Sequence, residues 1–372
     1  MRTFRALLAG LGCLASAAFA PLGAVDFVVT RYDDPFPNGC APTDCSLREA
    51  TLAANTSVGP DRILLSAGKY DLTRFTGDDT GVLGDLDLLD EVEIVGAGAT
   101  MTTIDAAPIG TAAQDPVISA FATSVLRDLK LTGSQVEGVR IFGADVTIER
   151  CDVTNNSFQG NSAGVHATGG GDLVIRDSAI INNGNGLFAI GGTAELENVT
   201  FHSNNAFQIF VGDDTLLFCT HCTVVDTVGG NGEVRVSNGI AFFANSIVSG
   251  NCDELAGGIV ATQGGNVESP GASCNFSTAA DRDNEPTAGL SALADHGGST
   301  RTFDLLAGSP ARVLVEDAAC SPHDQRGVGR SLHPFEECDA GALEHTTGRV
   351  RTPIFADGFQ QGDEEAWSAA VP

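Results

Sequence analysis

Lysine is almost missing from this chain, standing only at Lys69 and Lys130 among 372 residues. Tryptophan occurs once, and tyrosine and methionine twice each. Twenty basic residues face 48 acidic ones, a formal charge of −28. A surface so short of positive charge repels nucleic acid and anionic membrane, which excludes both as partners. Beyond the N-terminal leader no apolar run approaches the ~20 residues a membrane helix needs, so no membrane span is expected. The leader itself reads as a signal peptide over residues 1–24. Arg2 and Arg5 open it, Ala6 to Ala20 form the apolar stretch, and small residues close it. Removing it leaves 18 basic against 48 acidic residues. A secreted or surface-held monomer is the expectation.

What the chain has instead is one phrase written six times. Its anchors are Leu126, Ile148, Ile175, Leu196, Cys219 and Phe243, spaced by 22, 27, 21, 23 and 24 residues. Five residues after each anchor stands an apolar side chain (Leu131, Val153, Ile180, Phe201, Val224, Val248), and eight after it a small polar one (Ser134, Asn156, Asn183, Asn204, Thr227, Asn251). A period in the low twenties is too short for a helix pair and fits one turn of a β-solenoid. No coil buries its inner face alone; stacked coils share one core. The fold class predicted is therefore all-β, a single-stranded right-handed parallel β-helix with a short N-terminal capping helix. That helix is announced by Ser46 and Glu49, three residues apart as a capping box requires, and by Leu47, Ala50 and Ala54 at helical spacing. It would lid the open end of the core after a first strand near Val25–Thr30. The spacing divides the chain into the N-terminal strand and helix over 25–60, the β-helix over 61–265, a closing region over 266–344 and a tail over 345–372. The asparagines eight after the anchors are expected to stack as a structural ladder.

Nine cysteines follow the leader. An exported protein meets an oxidising compartment, and Cys40–Cys45, Cys252–Cys274 and Cys320–Cys338 are local pairs in turn-rich segments. Cys219 and Cys222 both fall at inward positions, as a core pair or a local disulfide. Cys151 shares a repeat column with Cys222 but lies three coils away, roughly 14 Å at ~4.8 Å per coil, beyond disulfide reach. It is read as a buried free thiol.

Several segments resemble the bacterial secreted proteins called CSLREA-domain proteins. The naming motif stands as Cys45-Ser46-Leu47-Arg48-Glu49-Ala50, followed by Ala53-Ala54-Asn55, and Gly84-Asp85-Leu86-Asp87-Leu88 is similar to that family's acidic segment. Asp324-Gln325-Arg326-Gly327, Arg330 and Cys338-Asp339-Ala340-Gly341-Ala342-Leu343-Glu344 resemble the choice-of-anchor Q region, as do Gly297-Gly298-Ser299-Thr300-Arg301 and Gly308-Ser309-Pro310-Ala311. The resemblance implies a pectate-lyase-like solenoid, secreted or surface-held, without a defined activity.

Candidate site residues come from a second strand in each coil, in which one middle residue should face outward between inward apolar neighbours. The outward column expected is Arg140, His166, Phe188, Gln208 and Arg235. Its arginines could meet acidic groups of an extracellular polysaccharide or another cell-surface component, and Phe188 a sugar ring. A second candidate is Ca²⁺ held by Asp78, Asp79, Asp85, Asp87 and Asp90, hard oxygen ligands in a glycine-punctuated stretch. The function expected is non-catalytic recognition of glycans or other surfaces. The alternative is a polysaccharide lyase or glycoside hydrolase, which would need a base beside Ca²⁺-bound carboxylates or a spaced carboxylate pair.

Overall fold

The computed structural model describes residues 23–74, 81–107, 115–156, 162–225, 233–316, 319–330 and 337–345. The signal-like leader, Asp78, Asp79, Thr227 and the tail beyond residue 345 lie outside them. Among the described residues the chain winds through three parallel sheets of ten, eight and nine strands. Each full coil visits the first sheet, then the third, then the second, as Ser124–Arg127, Lys130–Thr132 and Val139–Phe142 do before Val146–Glu149 begins the next.

The register follows the repeat. Leu126, Ile148, Ile175, Leu196, Cys219 and Phe243 stand in successive register in the first sheet. Leu131, Val153, Ile180, Phe201, Val224 and Val248 do the same in the third. All twelve side chains are buried in one continuous core. Between those two sheets the chain turns sharply, with a left-handed residue two after every anchor: Asp128, Arg150, Asp177, Asn198, His221 and Asn245. Asp and Asn tolerate that conformation better than most residues, which explains four of the six.

The helix Leu47–Ala54 covers the first coil. Ser46 and Glu49 form the capping box, and Leu47, Ala50 and Ala54 are buried. Arg48 is 1% exposed, yet every one of its N–H groups is matched. Nε and Nη2 donate to the Asp34 carboxylate, Nη1 to the carbonyls of Gly81 and Asp85, and Nη2 to that of Gly84, at 2.8–3.1 Å. Asn55, at the helix end, donates to Asp87 O and accepts from Leu89 N. The two N-terminal motifs are thus one device: the helix grips the backbone on either side of strand Leu86–Leu88 and sets that strand's position.

Four disulfides join Cys40–Cys45, Cys219–Cys222, Cys252–Cys274 and Cys320–Cys338, and Cys151 is buried and free. The C-terminal segment runs back along the outer face of the third sheet. Ile247 and Val267 form a second, smaller core there with Leu305, Ala311, Val315, Cys338 and Ala340. Arg330 donates to Asn198 Oδ1 and Gly341 O, and Gln325 accepts from Thr200 Oγ1.

Candidate functional site

The second sheet carries one outward residue per coil in unbroken register. The column runs Asp87, Ser119, Arg140, His166, Phe188, Phe210, Arg235 and Asp253. Four of the five expected site residues are in it. Gln208 is not.

Gln208 sits one residue before Ile209, where the preceding coils have Gly138, Gly164 and Gly186. A Cβ on any of these glycines would lie 2.7–2.9 Å from the amide nitrogen of Asn156, Asn183 or Asn204, respectively, so the ladder excludes a side chain there. The ladder itself is built by Ser134 N donating to Asn156 Oδ1, Asn156 N to Asn183 Oδ1, and Asn183 N to Asn204 Oδ1. At Asn204 the next acceptor is Gln208 Oε1, which takes the Asn204 Nδ2 proton at 2.6 Å while Gln208 Nε2 donates to Asn204 O. Gln208, 1% exposed, turns inward to continue the ladder, and Phe210 takes the outward place.

Two clusters flank an aromatic centre. Phe188 and Phe210 are stacked with ring centroids 4.4 Å apart and planes 8° from parallel. His166 packs edge-on against Phe188 at 4.9 Å. On that side Glu137, 3% exposed, accepts from Arg140 Nη2 at 2.5 Å and lies 3.1 Å from His166 Nδ1. Burial by itself would raise the Glu137 carboxyl, but the His166 and Arg140 hydrogen bonds outweigh it and hold it below its usual range. On the other side Arg235 donates to Asp253 at 2.8 Å and lies over the Phe207 ring at 4.3 Å. Both arginines therefore already hold a carboxylate. Glu137 and Asp253 escaped the sequence reading. Glu137 lies in the turn before its strand, and Asp253 lies on a second-sheet strand, Cys252–Leu255, that the sequence reading did not pick out.

Of the expected calcium ligands, Asp78 and Asp79 fall outside the described residues. Asp85 and Asp87 are buried beside the helix cap, and Asp90 accepts from Glu91 N. Among the described residues no three acidic, His or Cys side chains converge as a metal site. Burial pushes the Asp85 carboxyl up to about 6, with a Ser119 hydrogen bond opposing, neighbouring Asp115 adding to the rise, and Arg140 opposing it.

A family model described as "Right handed beta helix region" matches residues 117–271. The fold is a right-handed parallel β-helix. A crystal structure of a pectate lyase resembles it with a TM-score of 0.54 at 14% identity, covering 87% of this chain and 96% of that one. A pectin methylesterase from carrot is similar at a TM-score of 0.44 and 14% identity, covering 71% of this chain and 88% of that one. The A-module of a mannuronan C-5 epimerase from Azotobacter vinelandii gives 0.40 and 17%, covering 68% and 79%. No curated protein sequence matches the chain significantly. At 14% identity the likeness to the pectate lyase shows a shared β-helix and leaves the activity to the residues on it.

Proposed function

We propose that the protein is exported and that the outer face of its second sheet binds an extracellular glycan, with the stacked Phe188 and Phe210 rings as the platform. The observation that carries this reading is that pair, half-exposed at the centre of a flat parallel sheet and flanked by hydrogen-bonding side chains. Apolar faces of sugar rings lie against aromatic rings, and the polar groups on either side fix orientation. Because Arg140 and Arg235 are paired with Glu137 and Asp253, the platform suits a neutral chain better than a polyanion. Four disulfides and the signal-like leader support the compartment. A glycan array followed by affinity electrophoresis tests the reading. The variant Phe188→Ala with Phe210→Ala is expected to lose binding by about tenfold or more, as removal of a central aromatic anchor does. Arg140→Ala with Arg235→Ala is expected to keep most of it. Undiminished binding by the double Phe variant would remove this face from consideration.

A second reading, a glycan-cleaving enzyme, is favoured by Asp85. A carboxyl held up to about 6 near Ser119 and Arg140 has the proton affinity that a general acid needs near neutrality. Release of reducing ends or unsaturated sugars, abolished in Asp85→Asn, is its expected signature. Turnover indifferent to that substitution would sink it.

A further inference from the structure

A cavity of about 410 Å³ lies between the outer face of the third sheet and the turn at residues 295–301. It is within the ~300–1,000 Å³ span of small-molecule pockets. Its floor is Lys130 and Asp152, register neighbours on adjacent strands with both side chains outward. Its opposite wall is Asp295, whose carboxylate accepts from Gly297 N, with Ser299, Thr300 and Arg301. In a chain with only two lysines, one of them faces this cavity together with an arginine.

The wall is fixed in place before any ligand arrives. Gly298 has φ +85° and packs so closely on Arg326 that a Cβ would fall 2.7 Å from its Cα. Gln325 Nε2 donates to Thr300 Oγ1 at 2.7 Å and to Arg301 O at 3.1 Å, and Thr300 Oγ1 donates to Asp177 O. The floor is less satisfied. Asp152 is 8% exposed; its Oδ2 receives Arg301 Nη2 only at 3.4 Å, and its Oδ1 has no hydrogen-bond partner. Burial raises the Asp152 carboxyl, with Arg301 and Lys130 opposing. Lys130 makes no ion pair within the described residues, whereas Lys69, two strands along the same column, is held by Asp71 and Asp105.

A buried carboxylate oxygen without a donor calls for a hydroxyl. An ammonium and a guanidinium beside it call for an anion. We infer that this cavity is a binding site for a small polyhydroxylated acid of the uronic-acid type, its carboxylate held by Lys130 and Arg301 and a hydroxyl donated to the Asp152 carboxylate. The site is on a different sheet from the aromatic platform and does not depend on it.

Calorimetry and saturation-transfer NMR on the whole chain, with D-glucuronate and D-glucose as probes, test the assignment. Glucuronate is expected to bind, and glucose about tenfold or more weaker. Lys130→Met, at a half-exposed position, is expected to weaken glucuronate about 10- to 100-fold, the worth of a charge-assisted hydrogen bond. Asp152→Asn is expected to weaken both probes. Should Lys130→Met disturb thermal unfolding, Lys130→Gln gives the same reading. The Phe188→Ala/Phe210→Ala variant is expected to bind glucuronate unchanged. Absence of a signal with glucuronate up to tens of millimolar, equal binding of glucose, full affinity in the Lys130 variants, or loss in the double Phe variant would each overturn the assignment.

Discussion

The outer faces of the second and third sheets start from the same backbone, yet among the described residues one is covered by the chain's own C-terminal segment and the other keeps its contacts within the sheet and its turns. On the third sheet the outward column passes from Lys69, Thr103, Lys130 and Asp152 to Ala179, Thr200 and Thr223, then to Ile247 and Val267. Where it turns small and apolar, the C-terminal segment lies on it. On the second sheet the column stays polar or aromatic to both ends, with Arg140 and His166 held by Glu137 and Arg235 by Asp253. Outward side chains therefore decide which face the described chain closes for itself. The glucuronate cavity falls at the edge of the closed face, where the covering segment stands off from charged residues.

The largest effect that would test this contrast is at Arg330. It is 5% exposed and donates to Asn198 Oδ1, Gly341 O and Asp339 O at 2.7–3.2 Å. Arg330→Ala strips a buried network of its cation and is expected to cost ~3–5 kcal/mol. Arg235→Ala, on the open face and paired with the more exposed Asp253, is expected to cost ~1 kcal/mol or less. Urea unfolding compares them, and equal costs would mean that the C-terminal segment does not close the third sheet. Next comes the core they share. Ile180→Ala, at a fully buried position, is expected to destabilise by ~2–5 kcal/mol. Phe188→Ala is expected to cost clearly less by the same measurement, since its ring is half-exposed.

The inward half of this molecule was legible because it is periodic. The anchors from Leu126 to Phe243 stand in the sheet in the register their spacing announced, and Ser46 with Glu49 caps the helix as their separation implied. The outward half was legible at Arg140, His166, Phe188 and Arg235 and failed at Gln208. The middle-residue rule placed Gln208 outward, because Phe207 and Ile209 flank it as Val139 and Ile141 flank Arg140. A signal was present: Gly138, Gly164 and Gly186 each precede an apolar residue, and Gln208 precedes Ile209. Aligning on that step puts Phe210 in the column. Arg301 beside Asp152 carried no such signal, since the two are 149 residues apart and meet only through the fold-back of the C-terminal segment.

A pH series sharpens the comparison at the edge of the open face. Asp85 titrates near 6 in the folded chain, above the ~3.9 of an unperturbed aspartate. The folded state thus binds the extra proton between those values. Ionised Asp85 costs stability above pH 6, and the cost vanishes below about 4. Its size is on the order of 3 kcal/mol at ~1.4 kcal/mol per pKa unit. Asp85→Asn is expected to be more stable than the unsubstituted protein at pH 7.5, with the advantage shrinking through pH 6 to 4. Parallel stability curves for the two proteins would show that Asp85 ionises as it does in water.

The substitution that separates ladder from face most cleanly is at Gln208. Gln208→Ala removes the acceptor of one Asn204 Nδ2 proton, while the other proton still reaches Ile180 O at 3.0 Å. It also removes the donor to Asn204 O. One buried N–H left without a partner costs about 1–3 kcal/mol. The loss is expected in unfolding experiments, with faster amide exchange at Asn204, whose backbone N–H also points to Gln208 Oε1. Glycan binding on the second sheet is expected to stay unchanged, because the side chain never reaches that surface. A Gln208→Ala protein of full stability that no longer binds glycan would reverse the assignment, returning Gln208 to the outward column and Phe210 to the interior.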